Sequence, residues 1–286
     1  MTTDELPVEG LLVSAAARLR AAGIESPRRE ARLLLAHLLR VGQEDIVADR
    51  LPPVSAENAL AFEAVVSRRE RHEPLAYIVG CREFWSLDFA VGPGVLVPRP
   101  ESELLIEQAL KHFPDRDAPL RVLDLGTGSG CLLLSFLSER PNAQGLGVDQ
   151  SQYALVIAGQ NAATLRLSNR VRFERSNWLE NVFGAFDVIL INPPYIPRAA
   201  LDGLQPDVRS FEPLWALDGG PDGLDAYREI ASGLKERMTA GGCAFFELGQ
   251  GQAAAVEILL SRQGLIVEGT VCDLAGIPRC VIAART

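Results

Sequence analysis

The chain has 286 residues, of which 48% are hydrophobic and 23% charged, and its formal net charge is −9. This ordinary globular usage excludes a disordered or collagen-like chain, and at roughly 100–200 residues per domain it predicts one large or two unequal domains. No apolar run approaches the ~18 residues of a membrane span, and the acidic start Met1-Thr2-Thr3-Asp4-Glu5 lacks a signal-peptide pattern, so a cytoplasmic protein with no membrane contact is expected.

Residues 1–75 read as a small helical bundle. Leu11, Leu12, Ala15, Leu19 and Ala22 recur at helical spacing, with Gly23 placed to cap the end. Ser26-Pro27 opens a second helix through Ala31, Leu34, Leu35, Leu38 and Leu39, and Pro52-Pro53 breaks the pattern. Ser55 starts a third, through Ala59, Phe62, Val65 and Val66. Nothing in this region carries catalytic chemistry, so by default it reads as a docking or recognition module. Residues 76–100 change texture: Phe84, Leu87, Phe89 and Val91 partly alternate, then Gly92-Pro93-Gly94 breaks the run, which predicts a β-hairpin linker.

Residues 101–286 form the third and largest region. Helical spacing resumes over 101–112, and from residue 120 the rhythm is strand–helix–strand. Strands are predicted at 120–125, 145–149, 171–173, 186–191, 243–248, 265–271 and 280–284. Helices are predicted at 131–137, 153–163, 224–238 and 252–262. Near-continuous apolar strands alternating with helices imply a parallel sheet covered on both faces, an α/β fold whose ligands bind beyond the carboxyl ends of the strands. Cys81, Cys131, Cys243, Cys272 and Cys280 show no C-x-x-C spacing and read as isolated small hydrophobes. His37, His72 and His112 are scattered, and no metal site is expected.

The first strand of the third region runs into Asp124-Leu-Gly-Thr-Gly-Ser-Gly130, and Asp149 ends the next strand, 19 positions after Gly130. Glycines let the backbone turn sharply beside a ligand, and an acid at the end of the second strand accepts hydrogen bonds from ribose hydroxyls. Together they indicate an adenosine-type cofactor. The loop is not the G-x-G-x-x-G dinucleotide pattern, and the phosphate-loop lysine is missing. Asp124, two positions before Gly126, repels a diphosphate but suits a cationic ligand. S-adenosylmethionine carries a sulfonium and an ammonium group and no phosphate.

The strand at 186–191 ends in Asn192-Pro193-Pro194-Tyr195. Two prolines end a sheet ladder and fix a rigid turn. That alone makes a strand terminator, but its place at a strand's carboxyl end on the cofactor side argues for a use. An amide or aromatic-amine nitrogen is a poor nucleophile because its lone pair is delocalised. The Asn192 side-chain oxygen and the Pro193 carbonyl are suited to hold the two hydrogens of such an NH₂ group and so aim its lone pair. Tyr195 is suited to pack flat on the planar group. Orientation of this kind contributes several kcal/mol, below the ~7–11 kcal/mol ceiling for well-oriented reactants.

These motifs make the chain similar to the bacterial protein-glutamine N5-methyltransferases that act on peptide chain release factors, the PrmC/HemK family. The resemblance spans nearly the whole length. It rests on Pro74-Leu-Ala-Tyr77, Gly80-Cys-Arg-Glu-Phe-Trp85, Val97-Pro-Arg-Pro-Glu-Ser-Glu103, the glycine loop, Asn192-Pro-Pro-Tyr-Ile196, Phe211-Glu-Pro213, Asp222-Gly-Leu-Asp225 and Glu247-Leu-Gly249. Asn-Pro-Pro-Tyr alone is shared with adenine-N6 methyltransferases; the Pro-Arg-Pro-Glu segment and Phe-Glu-Pro are far more specific in combination.

The resemblance implies a helical N-terminal domain that grips the release factor, a hairpin linker and a seven-stranded Rossmann-like methyltransferase domain. It implies S-adenosyl-L-methionine as cofactor, S-adenosyl-L-homocysteine as product and the glutamine of the Gly-Gly-Gln loop of class 1 release factors as substrate. It also implies that Gly126, Thr127, Gly128, Ser129, Gly130, Asp149 and Asn192 hold the cofactor, with Trp178 against its adenine. Asn192, Pro193, Pro194 and Tyr195 would hold the glutamine, with Asn192 and Tyr195 catalytic. No nucleic acid partner is implied, and a monomer is the default expectation. Asn177 departs from the aspartate often found before the tryptophan, and Glu101-Ser102 from the also common Asp-Thr.

Arg99 is a candidate to neutralise a carboxylate; Glu212 and Glu247 fit structural hydrogen bonding equally well; residues 218–223 read as a turn. Rival functions are a ribosomal-protein glutamine methyltransferase, an adenine-N6 methyltransferase and a cofactor-binding regulator without activity. The region to Asp88 has 11 arginines against 14 acids, which speaks against a nucleic-acid face.

Overall fold

A computed structural model describes residues 6–48 and 50–285. The acidic start Met1 to Glu5 lies outside the described residues. By internal contacts the chain divides into two units: residues 1–81 with 205–211, and residues 82–204 with 212–286.

The first unit contains α1 (Val8–Ala21), α2 (Pro27–Leu39), α3 (Gln43–Val47), α4 (Ala56–Glu70) and α5 (Leu75–Val79). The three helices expected from periodicity are α1, α2 and α4. Their apolar stripes meet in a core of Leu11, Leu19, Leu34, Leu35, Phe62 and Val66. Ser55 caps α4 by accepting from the Asn58 N–H at 3.3 Å. Residues 75–79 form α5 rather than extended chain: Pro74 precedes the helix and Gly80, at φ +75°, ends it. Residues 205–211 were expected within the third region but group with the helical unit. Asp207 there lies 3.9 Å from the buried Arg69 guanidinium, which also meets Glu30 at 2.5 Å.

A hairpin of β1 (Cys81–Phe84), whose first residue is still counted with the helical unit, and β2 (Leu87–Ala90) leads into the second unit, followed by α6 (Glu103–His112). Next come β3 (Arg121–Leu125), α7 (Cys131–Glu139), β4 (Gln144–Asp149), α8 (Gln152–Thr164), β5 (Val171–Arg175) and β6 (Phe186–Ile191). The short α9 (Pro206–Phe211), which belongs to the helical unit, intervenes in sequence. Then follow α10 (Asp225–Leu234), β7 (Met238–Glu247), α11 (Ala253–Arg262), β8 (Ile266–Cys272) and β9 (Pro278–Ala284).

The main sheet has seven strands in the order β5-β4-β3-β6-β7-β9-β8. Six strands run in one direction, and β9 alone runs antiparallel to its neighbours β7 and β8. The five residues between β8 and β9 leave no room for a crossover helix, so the chain must return as a hairpin. Side-chain alternation along the strands feeds two cores. Val122, Val188, Leu190 and Phe245 meet Leu133 and Phe136 of α7 on one face. Leu123, Ile189, Ile191 and Phe246 meet Tyr227 and Ile230 of α10 and Val256 of α11 on the other. Burial on both faces explains the near-continuous apolar strands.

Candidate active site

Parallel register fixes where the motifs lie. Leu125 of β3 pairs with Val148 of β4 and with Ile191 of β6, and Ile191 pairs with Phe246 of β7. The next residue on each strand therefore falls in one row at the carboxyl rim: Gly126, Asp149, Asn192 and Glu247. The glycine bend and the Asn-Pro-Pro-Tyr turn are adjacent on the same rim.

A cleft opens above this row, with about 620 Å³ of empty space counting the part open to solvent. Gly126, Gly128, Asp149, Trp178, Asn192 and Pro194 line it, as do Gly94, Val95, Asn177 and Trp215. Of the other expected site residues, Thr127, Ser129, Gly130, Pro193 and Tyr195 are not part of the lining. Thr127 donates to Asp124 Oδ2 at 2.6 Å, and Gly130 sits at the start of α7. Tyr195 packs against the core on the α10 and α11 face of the sheet and turns its hydroxyl to Glu247 Oε1 at 3.2 Å.

Gly126, Gly128 and Gly130 have φ of +74°, +55° and +80°, the left-handed region that glycine enters without strain. A Cβ on Gly126 would stand 3.2 Å from the Trp178 ring. Trp178 itself holds φ +44°, which turns its backbone beside the glycine bend. The Asn177 Nδ2 donates to Glu229 Oε1 at 2.8 Å.

Asp149 accepts from the Gly128 N–H at 2.9 Å on one oxygen and from the Ser151 N–H at 2.8 Å on the other. Burial raises its carboxyl above the ordinary value, and these backbone donors pull it back. Each carboxylate oxygen keeps a second lone-pair direction for a ligand. Below the bend, Asp124 is fully buried, and its Oδ1 has no hydrogen-bond partner among the described residues. Burial pushes Asp124 up to about 7, against the Thr127 hydroxyl bond that lowers it.

The Asn-Pro-Pro-Tyr turn is braced from behind. Gln252 Nε2 donates to the Tyr195 carbonyl at 2.9 Å and to the Gly223 carbonyl at 3.1 Å. The Ile196 N–H donates to Leu217 O at 3.0 Å, and the Gly219 N–H to Ile196 O at 2.9 Å. A Cβ on Gly219 would come within 2.8 Å of the Tyr195 Cα, so only glycine permits this approach. The segment 218–223, read from sequence as a turn, is thus a buttress for the site.

Arg99 Nη2 donates to Glu212 Oε1 at 2.5 Å, and Glu212 Oε2 accepts from the Val97 N–H at 3.2 Å. This ties the Pro-Arg-Pro-Glu and Phe-Glu-Pro segments together. The residues that sequence reasoning missed are Ser102 and Gln252; Glu247 was noticed without a role. Away from the cleft, His112, Cys243 and Glu268 bring one ligand-type atom each within 4.8 Å of one another, although His112 Nε2 already pairs with Glu268 at 2.9 Å. No helix among the described residues is long and apolar enough to cross a membrane.

Residues 10–80 match the PrmC N-terminal domain model, and residues 100–203 match the methyltransferase small domain model. The release factor glutamine methyltransferase of Rhodospirillum rubrum is 44% identical over 275 residues, covering 96% of this chain and 84% of that protein. The protein of the same name from Caulobacter vibrioides is 42% identical over 269 residues, covering 94% and 93%. Among solved structures, a methyltransferase from Pyrococcus furiosus superposes with a TM-score of 0.53 at 18% identity, covering 77% of this chain and 98% of that one, a likeness of fold alone. With two such relatives matched almost from end to end, and family models on both its helical and its α/β region, the chain belongs to the release factor glutamine methyltransferase family.

Proposed function

We infer that this chain methylates the side-chain amide nitrogen of a glutamine in peptide chain release factors, the glutamine of their Gly-Gly-Gln loop, using S-adenosylmethionine. The observation that carries this reading is the shared row at the sheet rim. It sets a ribose-type acceptor, a glycine bend and a carboxamide beside one cleft, in a chain of this family.

The residues fit S-adenosylmethionine. A buried carboxylate with an unpartnered oxygen lies under the bend, which favours a cation there and opposes a diphosphate. Asp149 offers two acceptor directions for the ribose hydroxyls, and Trp178 offers a flat apolar surface for the adenine. When bound, S-adenosylmethionine supplies a methyl group on a cationic sulfur. Asn192 Oδ1 and the Pro193 carbonyl each accept one hydrogen of the glutamine NH₂. That holds the nitrogen lone pair in one direction and favours its pyramidal form. Tyr195, expected to pack on the planar amide, instead turns to Glu247 and steadies the turn that carries Asn192.

No side chain is required as a strong base, because a methylated amide cation is acidic enough to give its proton to water. Burial, with the neighbouring Glu247 charge, holds the Tyr195 phenol well above its ordinary value, so it stays protonated and donates rather than accepts. The helical unit is the part of the chain suited to bind the release factor away from the reacting loop.

The test is to mix the protein, labelled cofactor and a release factor, then map the methyl group by mass spectrometry. Methyl on the Gly-Gly-Gln glutamine is expected. An unmodified glutamine there, with label on ribosomal protein or on nucleic-acid adenine supplied in parallel reactions, overturns the substrate. Turnover of any kind dismisses a purely regulatory role.

Asp124 gives a second expectation. Its folded value of about 7 lies above the ordinary aspartate value of about 3.9. Between these limits the native protein holds a proton that the unfolded chain has lost, so this group's contribution to stability falls as pH rises from about 4 to 7. Thermal unfolding without cofactor at about pH 5 and about pH 8 should show a drop in the wild type that shrinks in Asp124→Asn. Equal drops in both would contradict the assignment. Cofactor ammonium bound beside Asp124 would also release part of that proton, which calorimetry in buffers of different ionisation heat detects.

A further inference from the structure

Glu247, the fourth member of the rim row, takes no part in holding cofactor or substrate as described above. It is 2% exposed, and so is Ser102, which lies at the start of α6. The Ser102 hydroxyl donates to Glu247 Oε2, and the Tyr195 hydroxyl donates to Glu247 Oε1 at 3.2 Å. Ser102 Oγ in turn accepts from Asn192 Nδ2 at 3.2 Å.

These bonds have a direction. A hydroxyl carries one hydrogen, and a carboxylate only accepts when it is ionised. Burial raises the Glu247 carboxyl above its ordinary value, while the Ser102 and Tyr195 hydroxyls that donate to it and the Arg279 charge favour the ionised form. Facing ionised Glu247, Ser102 spends its hydrogen there, so it shows Asn192 lone pairs alone. Asn192 must then turn its NH₂ toward Ser102, which leaves Oδ1 as the end of the amide free for another donor. The two ends of a carboxamide have almost the same shape, so packing alone does not choose between them. Hydrogen-bond direction does. With the amide reversed, Asn192 would offer NH₂ to the NH₂ of a glutamine, donor against donor.

We propose that Ser102 and Glu247 are positioning residues that fix which end of the Asn192 carboxamide faces the substrate amide, with Glu247 anchoring Tyr195 at the same time. The proposal rests on glutamine methylation as inferred above. It assigns the two residues no contact with the substrate.

Glu247→Gln keeps the shape and removes the direction. An amide offers only one oxygen to the two hydroxyls: with its NH₂ toward Ser102 it frees the Ser102 hydrogen for Asn192 Oδ1 and reverses the carboxamide, and with its NH₂ toward Tyr195 it takes away that hydroxyl's acceptor. Ser102→Ala removes the relay, whereas Ser102→Thr keeps a hydroxyl. In single-turnover methylation of a release factor, Glu247→Gln and Ser102→Ala should each be slower by about tenfold or more, the rate equivalent of one ordinary hydrogen bond. Ser102→Thr should recover most of the rate. Affinity for S-adenosylhomocysteine should stay within about threefold, as expected of groups that do not touch the cofactor.

In an Asn192→Ala background, Ser102→Ala should add no further loss, since both then act on one missing group. Rates within about twofold of wild type in both single variants overturn the proposal, as does an undiminished Ser102→Ala effect without Asn192. If Glu247→Gln does not fold, the Ser102→Ala and Ser102→Thr pair decides by the same criteria. A wild-type protein that leaves the release factor glutamine unmodified is a separate outcome, which rejects the functional reading itself.

Discussion

Replacing Asn192 by alanine is expected to slow methyl transfer by about 10²–10³-fold, the scale seen when one preorganised polar group is removed from a reacting centre. Asn192 stands at the end of β6, next to the glycine bend in the sheet register, and lines the same cleft. Its proposed task is to accept one hydrogen of the glutamine amide and so hold the nitrogen in the attacking orientation. Losing it removes an interaction needed for reaction more than one needed for binding, so the fall belongs in kcat and not in cofactor affinity. Single-turnover rates with labelled cofactor, set beside calorimetric binding of S-adenosylhomocysteine, separate the two. A large loss of cofactor binding would show that Asn192 serves the cofactor more than the substrate.

Asp149→Ala should give the reverse pattern. The carboxylate orders the glycine loop through the Gly128 N–H and the segment before α8 through the Ser151 N–H. Its two remaining acceptor directions suit the ribose hydroxyls. Hydrogen bonds to a charged group contribute ~1.5–3 kcal/mol each, so losing two should weaken S-adenosylhomocysteine by about 10²-fold or more. At saturating cofactor the rate should fall far less. Asp149→Asn has the right shape but must turn an NH₂ toward one of the two backbone N–H donors, so it should also bind more weakly than wild type. Unchanged affinity in Asp149→Ala would remove this residue from the cofactor site.

What could be read from sequence was what is local. The glycine loop and Asn192-Pro-Pro-Tyr195 are contiguous motifs at strand ends, and a parallel sheet sets strand ends side by side. Asp149 was legible because it ends the strand after the loop. Ser102 and Glu247 were not legible as a pair: 145 residues separate them, and only the packing of α6 beside β7 makes one a hydrogen-bond donor to the other. Gln252 was missed for the same reason, since its partners are backbone carbonyls of Tyr195 and Gly223. The helix α5 escaped because five residues, Leu75-Ala-Tyr-Ile-Val79, are too few to show helical periodicity and are rich in strand-favouring side chains. The reversed β9 follows from a loop length visible in the sequence, but apolar patterning carries no strand direction.

The most direct measurement is a crystal structure of the protein with S-adenosylhomocysteine and a peptide containing Gly-Gly-Gln. The glutamine amide nitrogen should lie within hydrogen-bond reach of Asn192 Oδ1, facing the cofactor sulfur above the Gly126 bend. A glutamine seated away from Asn192, or a sulfur lodged at another edge of the sheet, would contradict the proposed chemistry.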